Sequence, residues 1–449
     1  SAGDPAAHRH GMIRQLRYWR DRHRHPARYA LFDGLLPILR QNREQVLRRQ
    51  QRDLDAIVDH AVRRTDFYAR YLGPALLPGD GPVDSSRLPI LTKQHVVDHL
   101  ETMLVRGSDP LQVRVGHTGG STGRPLAFYY DAAKHELMLA GMMRGFTLSG
   151  WRPGQRILYF WGAPRDVSAD GVLSRRDPGF LAVERSVAAI QFSEACLYEW
   201  WRLVMTWRPT LLYGYASVLS ELARFVIQTG LEAPGTLLGV YATAEVLHDW
   251  QRELIQQAFR CKVFNQYGCR EVPNIAWECR RGNMHVFTDM VYLESVPLDG
   301  QNRLLVTSLT NRLMPFIRYD IGDTGRLLEG ECDCGVPFPL MQMDMCRQND
   351  LIRTRSGQCI HPAYFNRLLY GLDRIRQYQW LQTGHDRLQL KLDSAEPMDA
   401  ATQQTIRVSL RRDVDPQMTL QLVYCDAIPR GAAGKHRFVI GLPEKGGGV

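Results

Sequence analysis

The chain has 449 residues, of which 44% are hydrophobic and 23% are charged, and its formal net charge is +9. This length exceeds what one hydrophobic core usually supports, so two or more domains of an ordinary soluble protein are expected. No run of about 18 apolar residues occurs, and the basic N-terminal segment lacks an apolar stretch, so neither a transmembrane helix nor a signal peptide is expected. Nine cysteines spread over the chain favour a reducing cytoplasm, with free thiols or a metal site, over a disulfide framework.

Positive charge is densest in roughly the first 50 residues, which carry a series of arginines: Arg9, Arg14, Arg17, Arg20, Arg22, Arg24 and Arg28. Elsewhere the basic residues are mixed with acidic ones, which argues against a nucleic-acid-binding stripe. The cluster is typical of solvated helix faces, and a basic protein also suits anionic small molecules such as ATP or coenzyme A. We therefore expect neither a nucleic acid nor a membrane as partner.

The first predicted elements are a helical stretch over residues 36–72 and a turn at 88–93 into another helix, with Thr92 as a candidate N-cap. Residues 117–126 read H-T-G-G-S-T-G-R-P-L and lead into an apolar, aromatic strand. Small residues let the backbone approach a ligand closely, and hydroxyl and N–H groups can surround phosphate oxygens. The loop matches neither the Walker loop nor the dinucleotide fingerprint, and a flexible surface loop is the alternative.

The middle of the chain alternates strands with helices, which predicts a mainly parallel, buried sheet. The predicted strands are 156–161, 238–242 and 262–267, and the predicted helices are 193–207, 216–229 and 248–259. After about residue 284 the pattern changes to shorter strands and turns, for example at 303–308. The last hundred residues combine short strands with helices near 361–369 and 399–411, and end in a glycine-rich loop that presents Lys435.

This order predicts an α/β protein with a large N-terminal domain (residues 1–346), in which helices flank mainly parallel sheets. A hinge at 347–350 would join it to a small, mobile α+β domain (351–449), a size within the usual domain range. Four segments and the loop at 117–126 are candidates for one ligand site. A-T-A-E (242–245) and N-Q-Y-G-C-R-E (265–271) end strands with a carboxylate, R-Y-D-I-G-D (318–323) ends in an acid after a glycine, and Lys435 lies in the C-terminal loop. Ligands of open α/β sheets bind at the carboxyl ends of strands, so these segments are expected to share one crevice.

Taken together, these motifs resemble those of the adenylate-forming superfamily, specifically its phenylacetate–CoA ligase-like branch. The resemblance spans about residues 30 to 442 and rests on six ordered motifs: T-G-G-S-T-G-R-P, L-Y-G-Y-A-S, A-T-A-E, N-Q-Y-G-C-R-E, R-Y-D-I-G-D and G-K-H-R-F. It implies a two-step reaction. A carboxylate first attacks the α-phosphate of ATP, and a thiol, usually that of coenzyme A, then displaces AMP from the acyl adenylate.

The resemblance also implies a role for each motif residue. The triphosphate would be wrapped by Thr118, Gly119, Gly120, Ser121, Thr122 and Gly123. The adenine and ribose would be held by Ala244, Glu245, Gln266, Tyr267, Gly268, Asp323 and Arg347. Glu271 would bind Mg²⁺, Lys435 would bridge the acyl carboxylate and the α-phosphate, and Asn349 or Asp350 would be the pivot of the hinge.

A second constellation combines three thiols and one imidazole, Cys279, His285, Cys332 and Cys334. These ligand types suit tetrahedral Zn²⁺, and a closed set of four protein ligands would make the site structural. The C-x-C spacing of the last pair is tighter than usual. The alternative is four unrelated buried residues, although members of this branch often carry such residues.

The acyl pocket implied by the resemblance is lined by Trp161, Tyr213, Tyr215, Ala216, Ala242 and Thr243. Its aromatic side chains favour a flat or aromatic carboxylic acid, although aromatic residues are common in any core. The expected protein is thus a cytoplasmic, ATP-dependent ligase that passes an acyl group to coenzyme A or to the phosphopantetheine of a carrier protein. A nitrogen nucleophile in secondary metabolism and a non-catalytic nucleotide-binding relative are the alternatives, and Lys435 with Glu271 argues against the latter. A homodimer is left open.

Overall fold

The computed structural model describes residues 5–72, 81–118, 126–162, 179–298, 300–345, 350–369, 372, 374–428 and 437–442. Several residues singled out in the sequence lie outside these ranges: Gly119, Gly120, Ser121, Thr122, Gly123, Arg347, Asn349 and Lys435. No helix in the described ranges is both long enough and apolar enough to cross a bilayer.

Helices form eleven α segments along the described chain. They are α1 (Pro5–Arg24), α2 (Pro26–Leu35), α3 (Arg43–Arg64), α4 (Asp66–Tyr71), α5 (Lys93–Met103), α6 (Ala132–Thr147), α7 (Glu194–Trp207), α8 (Ala216–Gln228), α9 (Asp249–Phe259), α10 (Pro362–Arg367) and α11 (Ala400–Asp413). The helical stretch predicted at 36–72 is divided, because the side chains of Asn42 and Thr65 cap new helix starts at α3 and α4. The N-cap predicted at Thr92 is confirmed, since its side chain accepts a hydrogen bond from the backbone N–H of His95.

The strands are β1 (Arg114–Thr118), β2 (Leu126–Tyr130), β3 (Ile157–Phe160), β4 (Glu184–Val187), β5 (Gln191–Phe192), β6 (Leu211–Tyr215), β7 (Gly239–Thr243), β8 (Lys262–Tyr267), β9 (Ala276–Glu278), β10 (Met284–Val286), β11 (Val291–Leu298), β12 (Gln301–Ser308), β13 (Tyr319–Leu328), β14 (Leu340–Met345), β15 (Ile352–Arg353), β16 (Cys359–Ile360), β17 (Ile375–Gly384), β18 (Arg387–Ser394), β19 (Thr419–Tyr424) and β20 (Val439–Ile440).

One mixed sheet dominates the large domain, and its strand order among the described residues is β4-β3-β6-β7-β8-β9-β10-β14-β13-β12-β11. Strands β4, β3, β6, β7 and β8 run parallel, whereas the pairs from β8 to β11 are antiparallel. Every residue of β3, β6 and β7 is buried, as expected for parallel strands covered by helices on both faces. The α/β class is confirmed, and the change of pattern near residue 284 corresponds to the antiparallel half of the sheet.

The C-terminal segment forms a four-stranded sheet of order β19-β18-β17-β20 with its own hydrophobic core, which includes Phe365, Tyr378, Trp380 and Leu390. A separate three-stranded sheet, β15-β16-β5, joins this segment to the large domain. In it, Cys359 and Ile360 pair with Phe192 and Gln191 of the large domain. Ile190 of the large domain also belongs to this core, and Cys359 packs into a core of the large domain, so the small domain is docked through side chains as well as through the shared sheet. The division of the chain at residues 347–350 stays a prediction.

Candidate active site and metal centre

The carboxyl ends of three parallel strands, β6, β7 and β8, lie side by side and form one wall of a crevice. Tyr215 pairs with Thr243, and Thr243 pairs with Gln266, so the three motifs that follow these strands emerge at the same edge of the sheet. Ala244 has a φ of 64°, a left-handed conformation that turns the chain sharply after β7 and directs Glu245 back over the edge.

Glu271 lies at the centre of this crevice with only 1% of its surface exposed. Its Oε1 accepts hydrogen bonds from the Thr118 hydroxyl at 3.4 Å and the Tyr319 hydroxyl at 3.1 Å. Because Thr118 ends β1, these contacts bring the carboxylate to the start of the glycine-rich loop. The structure therefore brings together two motifs whose residues Thr118 and Glu271 are 153 positions apart in the sequence.

Tyr267 and Asp323 form the next part of the site. The Tyr267 hydroxyl donates to Asp323 Oδ2 at 3.0 Å, and both side chains are more than nine-tenths buried. Asp323 Oδ1 is also buried, and no group in the described part of the chain hydrogen-bonds to it. A buried carboxylate oxygen without a donor is costly in a folded protein, so its presence marks a position where a ligand can supply the missing donor.

Lys134 of α6 also lies at the site, although no sequence motif identified it. Its Nζ donates to the backbone carbonyl of Glu271 at 2.9 Å and lies 4.8 Å from the centre of the Phe128 ring. Burial lowers the pKa of Lys134 to about 8, although negative charge at Cys269 and Glu271 acts in the opposite direction. The lysine thus holds the turn that carries Glu271. Its position in the first turn of the helix after the glycine-rich loop was the available signal.

The expected acyl pocket is only partly apolar. Gln266 Oε1 accepts hydrogen bonds from the hydroxyls of Tyr213 and Thr243, and Gln266 Nε2 donates to the backbone carbonyl of Tyr267 at 3.0 Å. All four of these residues are buried, as is Ala242. Gly268 suits the turn that follows, because a Cβ there would make a tight contact of 3.0 Å with the backbone nitrogen of Asn274. The structure therefore brings these predicted residues together around one amide side chain.

The mouth of this pocket is formed by a stack of three rings. Trp161 lies parallel to Tyr215 with ring centres 4.4 Å apart, and the imidazole of His361 covers the other face of Tyr215 at 3.7 Å. Ala216, next to Tyr215, is fully buried. His361 comes from the small domain, directly after β16, so nothing in the sequence near Tyr215 pointed to it.

His361 also contacts Glu245, with 3.0 Å between His361 Nε2 and Glu245 Oε1. Glu245 Oε2 accepts from the backbone N–H of Ser217 at 2.8 Å. Burial acts to raise the pKa of Glu245, but His361 and the Ser217 N–H outweigh this effect and hold the pKa below its ordinary value. Glu245 therefore connects the two domains in this arrangement, and the adenine contact expected for it stays a prediction.

Asp350, one of the two expected pivot residues, is bound to the small domain. Its backbone N–H donates to the carbonyl of Val439 at 3.1 Å, and its carboxylate accepts from Arg437 and from the backbone N–H of Gly441. These hydrogen bonds fix Asp350 to the strand β20 and its surroundings. A pivot would then lie on the N-terminal side of Asp350.

The four residues of the predicted metal site converge, with the ligand atoms of Cys279, His285, Cys332 and Cys334 all within 4.8 Å of one another. The Cys279 and Cys332 sulfurs are 3.8 Å apart, and Cys334 Sγ is 3.2 Å from His285 Nε2. Tetrahedral Zn²⁺ with Zn–S bonds of about 2.3 Å requires sulfur–sulfur distances of about 3.8 Å. The cluster therefore fits the size of a zinc site.

The surroundings of the cluster fit the same metal. His285 Nδ1 lies 3.1 Å from the carbonyl of Phe338, an arrangement that leaves Nε2 as the ligand atom. Burial lowers the pKa of His285, which favours the neutral imidazole that binds metals. Thiolate charge is met by donors, since Asn283 Nδ2 donates to Cys332 Sγ at 3.2 Å and the backbone N–H of Arg281 to Cys279 Sγ at 3.3 Å.

Comparisons with known proteins agree with this geometry. A family model described as the CapK C-terminal domain matches residues 352–441. The chain is 21% identical to Protein CapK of Staphylococcus aureus over 417 residues, which cover 87% of this chain and 88% of that protein. It is 25% identical to the phenylacetate-coenzyme A ligase of Thermus thermophilus over 376 residues, which cover 79% and 83% of the two chains.

Among solved structures, 2-hydroxyisobutyryl-CoA ligase in the postadenylation state, in complex with R3-HIB-AMP, shares the fold. The TM-score is 0.56 at 18% identity, and the match covers 88% of this chain and 89% of that one. The shared fold, the curated relatives and the ordered motifs point the same way. Together these findings support the adenylate-forming superfamily, phenylacetate–CoA ligase-like branch, as the family of this chain.

Proposed function

We propose that this protein is an ATP-dependent, AMP-forming ligase that joins a carboxylic acid to a thiol, with coenzyme A as the acceptor. The observation that carries the proposal is the buried, unpartnered Asp323 Oδ1 beside Tyr267, in the same crevice as Glu271 and the start of the glycine-rich loop. An acceptor oxygen at this position suits the hydroxyl donors of a ribose. The relatives named as phenylacetate-coenzyme A ligases and 2-hydroxyisobutyryl-CoA ligase support the reaction type.

The nucleotide would occupy the crevice with its ribose at Asp323 and its adenine at the edge of Tyr267, near Gln266 and Gly268. Arg347 would assist at the ribose. The triphosphate would then extend toward Thr118 and residues 119–123. Glu271 supplies a carboxylate oxygen at this position, and Mg²⁺ is commonly bound by one or two carboxylates together with substrate phosphates. When bound there, Mg²⁺ would neutralise charge on the phosphates.

In the first step, a carboxylate oxygen of the acid would attack the α-phosphorus of ATP, and the bond from that phosphorus to the bridging oxygen would break to release pyrophosphate. Lys435 would lie between the acid and the α-phosphate and offset their repulsion. In the second step, the thiolate sulfur would attack the acyl carbon and AMP would leave with the bonding electrons. The thiol proton would pass to solvent.

The acid would lie between the ring stack of Trp161, Tyr215 and His361 and the amide cluster of Gln266. Both faces of Tyr215 are covered within the stack, so the outer ring faces of Trp161 and His361 would contact the acid and favour an aromatic one. The hydroxyls of Tyr213 and Thr243 are already engaged with Gln266, so the wall they form offers little unused hydrogen-bonding capacity. We therefore propose an aromatic acid without charged substituents on the ring.

The test is ATP–pyrophosphate exchange with a panel of aromatic and aliphatic acids, followed by product mass after addition of coenzyme A or of amines. Lys435→Ala should lower exchange at least about a hundredfold, the scale lost when one charge-stabilising group is deleted. Thioester formation from preformed adenylate should fall much less. Lys391→Ala, on β18 of the same domain, is the matched control and should retain exchange.

The proposal would be contradicted if Lys435→Ala catalysed ATP–pyrophosphate exchange at the wild-type rate. It would also be contradicted if the wild type showed no exchange with any acid of the panel. If a product of the acid formed only when an amine was added, the adenylation step would stand, but coenzyme A would be rejected as the acceptor.

A further inference from the structure

A pocket of about 290 Å³ lies well away from the crevice and is lined by arginine and aromatic side chains. Its lining residues are Arg156, Gly179, Phe180, Arg185, Thr206 and Trp207. Arg156 directly precedes β3 and Trp207 ends the helix before β6. Since these strands are parallel and end at the crevice, the pocket lies at their amino ends, on the opposite edge of the sheet.

Two guanidinium groups, those of Arg156 and Arg185, line this pocket against aromatic rings, and a third, that of Arg17, lies beside it on the Phe180 ring. Arg156 lies 5.8 Å from the centre of the Phe180 ring and 5.1 Å from that of Trp207. Arg185 lies 5.1 Å from the Trp207 ring, and Arg17 of α1 lies 5.4 Å from the Phe180 ring. The Arg156 side chain also donates to the backbone carbonyls of Trp207 and Phe180. The rings and carbonyls therefore hold the arginines in place before any ligand arrives.

The pocket region contains buried hydrogen-bond donors that lack acceptors in the part of the chain that the structure describes. Among the described residues, three buried donor atoms in or beside the pocket have no hydrogen-bond partner: Arg156 Nε and Trp207 Nε1 of the lining, and Arg17 Nε beside it. Within the described ranges, no carboxylate forms an ion pair with Arg17 or Arg156. Burial, followed by the charges of Arg17 and Arg185, lowers the pKa of Arg156 to about 10. Clustered positive charge and orphaned donors together call for an acceptor that carries negative charge.

We propose that this pocket binds the phosphate group of a small molecule, at a site separate from the adenylation crevice. Arginine matches phosphate oxygens through paired N–H donors, and it is the residue best suited to a partly buried anion. The pocket volume of about 290 Å³ leaves room beyond a single phosphate group. Pyrophosphate and the phosphate-bearing end of a nucleotide both share the required chemistry.

The test is isothermal titration of the full-length chain with sodium phosphate, pyrophosphate, AMP and coenzyme A at constant ionic strength. The double variant Arg156→Gln with Arg185→Gln should bind the tightest of these probes at least about tenfold more weakly than the wild type, the loss expected for one charge-assisted hydrogen bond. Arg202→Gln is the matched control. Arg202 lies on α7, the helix that ends at the pocket residue Trp207, but its side chain is exposed and pairs with Glu199. It should bind like the wild type.

Because Arg156 also supports two backbone carbonyls, Arg17→Gln gives a second test that leaves those hydrogen bonds intact, and it should weaken binding in the same direction. Tightest binding of pyrophosphate would identify an inorganic ligand, whereas tightest binding of AMP or coenzyme A would identify a nucleotide. Equal binding by the wild type and all arginine variants would overturn the proposal. Binding that Asp323→Asn abolishes and the arginine variants leave intact would also overturn it, because the phosphate would then occupy the crevice alone.

Discussion

The unpartnered carboxylate oxygen of Asp323 leads to a prediction in which ligand affinity and protein stability change in different directions. Asp323→Asn keeps the shape of the side chain and an acceptor for the Tyr267 hydroxyl, but it removes the negative charge facing the proposed ribose. Hydrogen bonds to charged groups contribute about 1.5–3 kcal/mol, which corresponds to about 10- to 100-fold in affinity. We therefore expect the KM for ATP in pyrophosphate exchange to rise by that factor.

The same substitution should not weaken the unliganded protein. Asp323 is 6% exposed, and its Oδ1 has no donor, so the amide removes a buried charge whose compensation is incomplete. The melting temperature without nucleotide should stay equal or rise.

Asp320→Asn is the matched control from the same motif. Asp320 pairs with Arg303 at 2.7 Å and accepts from the backbone N–H of Gly322 at 2.9 Å, so its loss should lower the melting temperature and leave the KM for ATP nearly unchanged. A wild-type KM in Asp323→Asn, or an equal rise in KM in both variants, would refute the assignment of Asp323 to the nucleotide.

Three further predictions follow from other parts of the molecule. The cysteine–histidine cluster should hold about one equivalent of Zn²⁺, and a strong chelator should lower the melting temperature, whereas zinc-free protein that is folded and active would reject the metal. Burial raises the pKa of Glu184 from an ordinary value of 4.5 to about 7, so its contribution to stability is lost as the pH rises from 4.5 through 7. Glu184→Gln should then raise the free energy of unfolding by about 1–3 kcal/mol at pH 8 and change it little at pH 5, as measured by urea denaturation. Equal effects at both pH values would contradict the shift. Asn349→Pro should retain acyl-adenylate formation but slow thioester formation, because proline fixes φ at a proposed pivot. It is a cleaner variant than Asp350→Pro, since the Asp350 N–H is hydrogen-bonded to Val439, and an unchanged ratio of the two half-reaction rates would argue against a hinge there.

Local sequence patterns were sufficient to predict the α/β class, the change to antiparallel strands after residue 284 and the capping role of Thr92. They were also sufficient for the crevice motifs, because parallel strands that alternate with helices present their carboxyl ends at one edge. The Cys279, His285, Cys332 and Cys334 set could be named from ligand chemistry, and its members converge as expected. In each case the relevant information is the order and type of residues along the chain, without knowledge of which elements pack together.

The contacts that complete the site depend instead on the packing of distant elements. Lys134 supports the turn at Glu271 from α6, and Tyr319 reaches the same carboxylate from β13. His361 arrives at Tyr215 and Glu245 from another domain, through the pairing of β16 with β5. A hydrophobic pattern indicates which face of a strand or helix is buried, but it does not specify which other element covers that face. Partners of this kind are selected by the packing of the whole chain, so they became visible only once the sheet order was known.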